Sequence, residues 1–90
     1  MTIKHLNIRV FGVVQGVWFR AHTRDQALAI GLTGFVRNET DGSVYIEVEG
    51  KEAGLTSFVH WCHKGPSMAQ VTRVDVTEGV PGSFHDFRIT

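Results

Sequence analysis

The chain has a single cysteine, Cys62, among its 90 residues. One cysteine cannot form a disulfide within the chain, so any disulfide would have to join two chains. Because disulfide-free chains are typical of reducing compartments, we expect a cytoplasmic protein. The first residues are interrupted by Asn7 and Arg9 and lack the continuous apolar run of a signal peptide or a membrane span.

The chain also lacks a net charge, since nine acidic residues balance nine basic ones. A balanced chain has no overall field to attract nucleic acid or an anionic membrane, so we expect neither partner. We also expect a monomer. Hydrophobic residues make up 42% and charged residues 20% of the chain, which is typical of a globular protein. At this length, residues 1–90 form one small domain.

The spacing of apolar residues divides the chain into strands and helices. Strict alternation predicts strands, and recurrence at three or four residues predicts helices. Between Val71 and Val74 the alternation slips, which indicates a bulge. The predicted strands cover about residues 4–11, 32–37, 44–49, 71–76 and 87–89, and the helices cover about 20–30 and 55–62.

The order strand, helix, strand, strand, helix, strand predicts a split βαβ fold. This is an α+β, ferredoxin-like sandwich in which an antiparallel sheet carries both helices on one face. Gly31 is placed to end the first helix, and Asp41-Gly42 predicts a hairpin with Gly42 at positive φ. The other face of the sheet would be polar and solvated, with Arg9, Tyr45 and Glu47.

Residues 11–20, FGVVQGVWFR, connect the first strand to the first helix. Gly12 and Gly16 allow a tight loop whose N–H groups point inward and form an anion-binding nest. The start of the helix adds free N–H groups and its positive dipole end, and Arg20 adds a rigid double donor. The segment therefore predicts an oxyanion pocket, and phosphate is the anion we expect.

This loop has no nucleophile. Thiolate phosphatases begin such a loop with a cysteine six residues before the arginine, and here that position is Val14. The Gly-Lys-Ser/Thr ending of a nucleoside triphosphate loop is also missing. A bound phosphate would therefore be attacked by water, and without a general acid the leaving group must depart unprotonated. A carboxylate does so, which points to an acyl phosphate as the substrate.

Two segments resemble the patterns of the acylphosphatase family. Gly12–Arg20 matches G-x-V-Q-G-V-x-F-R, and residues 34–44 match G-x-V-x-N-x-x-D-G-x-V. The resemblance implies an acylphosphate phosphohydrolase, without metal or cofactor, that releases a carboxylate and inorganic phosphate. It also implies that Asn38 orients the attacking water and that Arg20 and the loop amides bind the phosphate. The expected phosphate-binding residues are Gln15, Gly16, Val17, Trp18, Phe19 and Arg20.

Other interpretations of the polar residues remain open at this point. From spacing alone, Asn38 is better explained as a turn residue beside the hairpin, and the strand order leaves its distance to the loop unsettled. His22 either lines the mouth of the pocket or is an exposed helical residue. His60, Cys62 and His63 do not predict a metal site, because Cys62 belongs to the buried stripe of its helix and no second ligand cluster follows.

Two other functions fit the same fold. One is a module that binds a phosphorylated ligand without cleaving it, since this architecture supports many unrelated functions. The other is an RNA-binding sheet that uses Phe35 and Tyr45, but the balanced charge argues against it.

Overall fold

The computed structural model describes residues 2–82 and 84–90. Within them, strands and helices follow one another in the order that the apolar spacing predicts. The sheet has the strand order β4-β1-β3-β2-β5. The elements are β1 (Lys4–Val13), α1 (Phe19–Ile30), β2 (Thr33–Asn38), β3 (Val44–Gly50), α2 (Glu52–Lys64), β4 (Gln70–Gly79) and β5 (Phe87–Ile89).

The predicted α+β, ferredoxin-like fold is confirmed, with one addition to the sheet. Strands β1 to β4 pair in antiparallel fashion, but β5 runs parallel to β2 at the far edge, so that the sheet is mixed. The predicted bulge is present: Phe11 pairs with Arg73 and Gly12 with Val71, which leaves Thr72 as the extra residue.

Both helices bury one side against the same face of the sheet. Phe19, Thr23 and Ala27 are the buried residues of α1, and Leu55, Phe58 and Cys62 are those of α2. They form one core cluster with the alternate residues of the central strands. At Gly31, with φ 88°, the backbone N–H bonds to the carbonyl of Ala27 and the helix ends as predicted. The strands contribute Ile8, Val10, Val36, Val44, Ile46 and Val48 to this core.

The opposite face of the sheet is partly covered, so the expectation of a solvated face was wrong there. The chain between β4 and β5 must return from one edge of the sheet to the other. On the way the ring of Phe84 stacks on His5, with 6.0 Å between ring centroids, and contacts Phe35 edge-on. The Gly82 N–H donates to the Glu49 carboxylate. His5 and Glu49 on this face are buried, and Tyr45 is half-buried.

The strand directions determine where the functional loop lies. Strands β1 and β2 are both antiparallel to β3, so they are parallel to each other. Their carboxyl ends, Val13 and Asn38, therefore lie at the same edge of the sheet. This edge is also where the connection from β1 enters α1.

Candidate active site

The connection between β1 and α1 contains two residues in the left-handed region. Gly16 has φ 74°, and Trp18 has φ 63° and ψ 19°. Trp18 is the only residue other than glycine with positive φ in the described part of the chain. Left-handed residues close together in a short loop turn successive N–H groups inward, which is the geometry of an anion-binding nest.

Among the described residues, the first amides of α1 have no hydrogen-bond partner. Trp18 precedes the helix, makes no capping hydrogen bond with its side chain, and is followed by no acidic residue in the first turn. The His22 N–H donates to the Trp18 carbonyl at 3.1 Å, so helical bonding begins there. The amides before it, including those of Phe19 and Arg20, remain available to an anion, and the positive end of the helix dipole is not neutralised.

Arg20 lies in this first turn and is half-buried. The ion pairs within residues 2–82 and 84–90 use other cations, and none includes Arg20. A cation at the positive end of a helix is electrostatically disfavoured. An anion bound at this position would offset that cost.

Asn38 comes to the same place from β2. Because side chains alternate along a strand, Asn38 lies on the same face as Gly34 and Val36, which are buried on the helix side of the sheet. As the last residue of the strand, it extends past the core and is exposed. The sequence did not determine the distance between Asn38 and the loop. In the structure this distance is short enough for both to line one cavity.

This cavity has a volume of about 410 Å³. It brings together five of the seven residues expected at the site, namely Arg20, Asn38, Gly16, Trp18 and Phe19, and it is completed by Val14, Ala21 and Ile89. The side chains of Gln15 and Val17 do not line it. Val17 packs against the core instead.

Gln15 holds the loop against the β2-β3 hairpin. Its side-chain Nε2 donates to the backbone carbonyl oxygens of Glu39, at 2.7 Å, and Ser43, at 2.9 Å. The hairpin is itself fixed by Asp41, whose Oδ1 accepts from the hydroxyl and the N–H of Ser43. These two hydrogen bonds lower the pKa of Asp41. Gly42 has φ 92°, as predicted for the turn.

Three cavity residues were not among the expected site residues, namely Val14, Ala21 and Ile89. Ile89 reaches the site because β5 pairs with β2 in a parallel register that places Ile89 opposite Val36. The Thr90 N–H donates to the Val36 carbonyl at 2.9 Å and continues this pairing. Only the apolar alternation of residues 87–89 hinted at this strand, and it did not indicate the strand's place in the sheet.

The cavity wall, as far as the chain is described, contains no carboxylate, imidazole or thiol. His22 is exposed and does not line the cavity. Cys62 lies in the core, where burial raises the pKa of its thiol to about 12, while His60 and His63 are exposed. Within residues 2–82 and 84–90, no three His, Cys, Asp or Glu side chains are grouped closely enough to hold a metal ion.

Comparison with known proteins identifies the family. A model of the acylphosphatase family matches residues 6–89. The chain belongs to the acylphosphatase family. It is 48% identical to the acylphosphatase of Thermotoga maritima over 97% of both chains. Members of the family are enzymes, acylphosphate phosphohydrolases, and this chain is one of them by sequence and by fold.

Solved acylphosphatases have the same fold. The Bacillus subtilis acylphosphatase superposes with a TM-score of 0.94 at 38% identity over 99% of each chain. The Coxiella burnetii acylphosphatase gives a TM-score of 0.95 at 33% identity over 98% of this chain and 93% of that one. Neither helix in the described part of the chain is long and apolar enough to cross a membrane.

Proposed function

We propose that the chain hydrolyses an acyl phosphate whose phosphoryl group is bound by the amides of residues 15–20 and by Arg20. The observation that supports this most strongly is the position of Arg20. It lies without a carboxylate partner among the described residues, at an uncapped helix start. Both features favour a dianion, because the backbone amides, the dipole and the guanidinium all stabilise negative charge.

In this reaction, water attacks phosphorus and the bond between phosphorus and the carboxyl oxygen breaks. The electron pair of that bond leaves with the carboxylate, which needs no proton. The attacking water becomes part of inorganic phosphate, and its proton passes to a phosphate oxygen or to solvent. Catalysis then depends on positioning and on stabilising charge at the equatorial oxygens, which the loop amides and Arg20 supply.

Asn38 has the role of orienting the water. Its amide both donates and accepts hydrogen bonds, and it lines the same cavity as Arg20. An amide cannot accept the proton of the water as a base, so the proton acceptor in this proposal is the phosphate of the substrate or the solvent. Orientation of a reactant by a fixed group contributes to rate by reducing the entropy lost in the reaction.

The test is hydrolysis of benzoyl phosphate by purified protein in the presence of a chelator. The variant Arg20→Gln removes the guanidinium, and Arg24→Gln on the same helix is the matched control, because Arg24 does not line the cavity. We expect rapid turnover in the wild type and in the control, and a loss of at least about 100-fold in Arg20→Gln. A folded wild type without turnover, or full activity in Arg20→Gln, would overturn the proposal.

The remaining expectations are part of the same proposal. We propose that residues 1–90 act as a single domain and as a cytoplasmic monomer, without cofactor, metal, nucleic acid or membrane partner. The shared core of the described residues supports a single domain, and the balanced charge supports the absence of nucleic-acid and membrane partners. Light scattering during gel filtration measures the oligomeric state, and a stable dimer would contradict that part of the proposal.

A further inference from the structure

The cavity is larger than a phosphate ion and mostly apolar. At about 30 Å³ for each water-sized group, a cavity of about 410 Å³ holds on the order of a dozen such groups, more than a phosphate needs. In the proposed function, the side chains of Arg20 and Asn38 and the backbone amides of residues 15–20 serve the phosphate and the water. The other side chains of the wall are apolar and belong to Val14, Trp18, Phe19, Ala21 and Ile89.

Trp18 is the most exposed of these apolar residues. Its side chain is 75% exposed, whereas Val14 and Phe19 are each 1% exposed and belong to the core. An indole that faces water gains free energy when a ligand covers it, because apolar surface is then removed from solvent. Ile89 is half-buried beside the same cavity and provides a second apolar contact.

The backbone of Trp18 adds an independent observation. A left-handed conformation at a bulky residue costs on the order of 1 kcal/mol, and glycine would relieve that strain. Strain at an exposed residue that does not support the core is typical of functional sites. Trp18 thus combines a left-handed backbone with an indole at the cavity, one residue before the start of α1.

We propose that Trp18 and Ile89 bind the acyl chain of the substrate and make the enzyme selective for acyl phosphates with apolar chains of several carbons. This inference rests on the proposed function, since it assigns the leaving group of that reaction to the apolar part of the cavity. The carboxyl carbon is attached through one oxygen to phosphorus, so the acyl chain must begin beside the loop amides. Trp18 and Ile89 are the incompletely buried bulky apolar side chains at this position.

The experiment compares kcat/KM for acetyl, butyryl and hexanoyl phosphate. The three leaving acids have nearly equal acidity, so differences in rate report binding of the chain rather than intrinsic reactivity. We expect kcat/KM of the wild type to rise by about twofold to fourfold for each methylene that becomes covered. Trp18→Gly, which suits the left-handed backbone, and Ile89→Ser should each flatten this rise, so that the ratio of kcat/KM for hexanoyl phosphate to that for acetyl phosphate falls toward one.

Two further variants separate chain binding from effects on the loop. Trp18→Phe keeps an aromatic surface and should preserve most of the selectivity. Leu28→Ser removes an exposed apolar residue of α1 that does not line the cavity, and its selectivity should match the wild type. Inhibition constants for methylphosphonate and hexylphosphonate, which are not hydrolysed, should show the same dependence on the chain.

The outcomes distinguish this inference from the function on which it rests. Equal kcat/KM for acetyl and hexanoyl phosphate in an active wild type would overturn the inference and leave the function intact. If Trp18→Gly lowered kcat/KM for all three substrates by the same factor, the role of Trp18 would be limited to holding the conformation of the loop. In that case, unchanged chain-length selectivity in Ile89→Ser would overturn the inference. Failure of the function itself would appear as absence of turnover of every substrate.

Discussion

Removing the side chain of Gln15 tests whether the phosphate loop must be fixed to the hairpin that carries Asn38. In Gln15→Ala, the hydrogen bonds from Nε2 to the carbonyls of Glu39 and Ser43 are lost. A hydrogen bond contributes roughly 0.5–1.5 kcal/mol net. Both carbonyls keep a backbone partner, since they accept from the N–H groups of Gly42 and Glu39 respectively. We therefore expect the free energy of unfolding to fall by about 1–2 kcal/mol.

The same substitution should reduce turnover more than it reduces stability. The loop carries the phosphate, and the end of β2 carries the water-orienting Asn38, so a loose connection between them misplaces the two reactants. A displacement of about 1 Å can lower a rate by about 100-fold, and we expect kcat to fall by about tenfold or more. Gln15→Glu should be worse than Gln15→Ala, because its carboxylate faces two carbonyl oxygens and lies close to the bound anion.

Urea unfolding and benzoyl phosphate hydrolysis measure the two effects of Gln15. The control is Gln70→Ala, which removes an exposed glutamine from β4 and should change neither quantity. Wild-type kcat in a folded Gln15→Ala protein would show that the loop holds its geometry without the hairpin. A Gln15→Glu protein as active as the wild type would refute the reasoning as well.

Further predictions concern packing and pH. Gly34→Ala should destabilise the fold by about 3 kcal/mol or more in urea unfolding, since its Cβ would lie 1.9 Å from the Glu47 carbonyl oxygen; wild-type stability would contradict this. Burial alone lowers the pKa of His5, but hydrogen bonds and nearby charges, above all those of Glu49, raise it overall. The stability that His5 adds relative to His5→Gln should thus be full below about pH 6.5 and decline as pH rises through the higher folded-state pKa; a constant difference would contradict the assignment. Because no carboxylate or imidazole lines the described cavity wall, kcat should change little between about pH 6 and 9; a step near neutral pH that follows an enzyme group would show a catalytic acid or base.

Local patterns predicted much of this structure. The end of α1 at Gly31 and the turn at Gly42 follow from the backbone preferences of glycine, and the bulge opposite Phe11 follows from the slip in apolar alternation. A sequence displays both signals directly. The segment of residues 11–20, in which residues 14–18 form the loop between β1 and α1, is equally local. Its nest, its helix start and Arg20 lie within a single segment, so their proximity requires no knowledge of the tertiary fold.

The approach of Asn38 to this loop could have been derived from the predicted topology. Two strands that are both antiparallel to β3 are parallel to each other, so their carboxyl ends share an edge. Alternation along β2 then puts the side chain of Asn38 on the same face as Gly34 and Val36, which is the helix side. Both the strand directions and the alternation can be inferred from the sequence. When neither is used, spacing alone favours the interpretation of Asn38 as a turn residue.

Other features depend on contacts between distant segments, which spacing does not reveal. Gln15 finds its partners 24 and 28 residues along the chain, and they are backbone carbonyls that carry no side-chain signature. Ile89 enters the cavity only because β5 crosses to the far edge and pairs in parallel with β2. The covering of the outer face by Phe84 follows from the same crossing.

The most direct test of the central claim separates phosphate binding from water attack. Inorganic phosphate is titrated into the wild type, Arg20→Gln and Asn38→Ala by calorimetry, and turnover of benzoyl phosphate is measured on the same samples. We expect Arg20→Gln to lose both binding and turnover, and Asn38→Ala to bind phosphate like the wild type but to lose turnover. Wild-type phosphate binding in Arg20→Gln, or full turnover in Asn38→Ala, would contradict it.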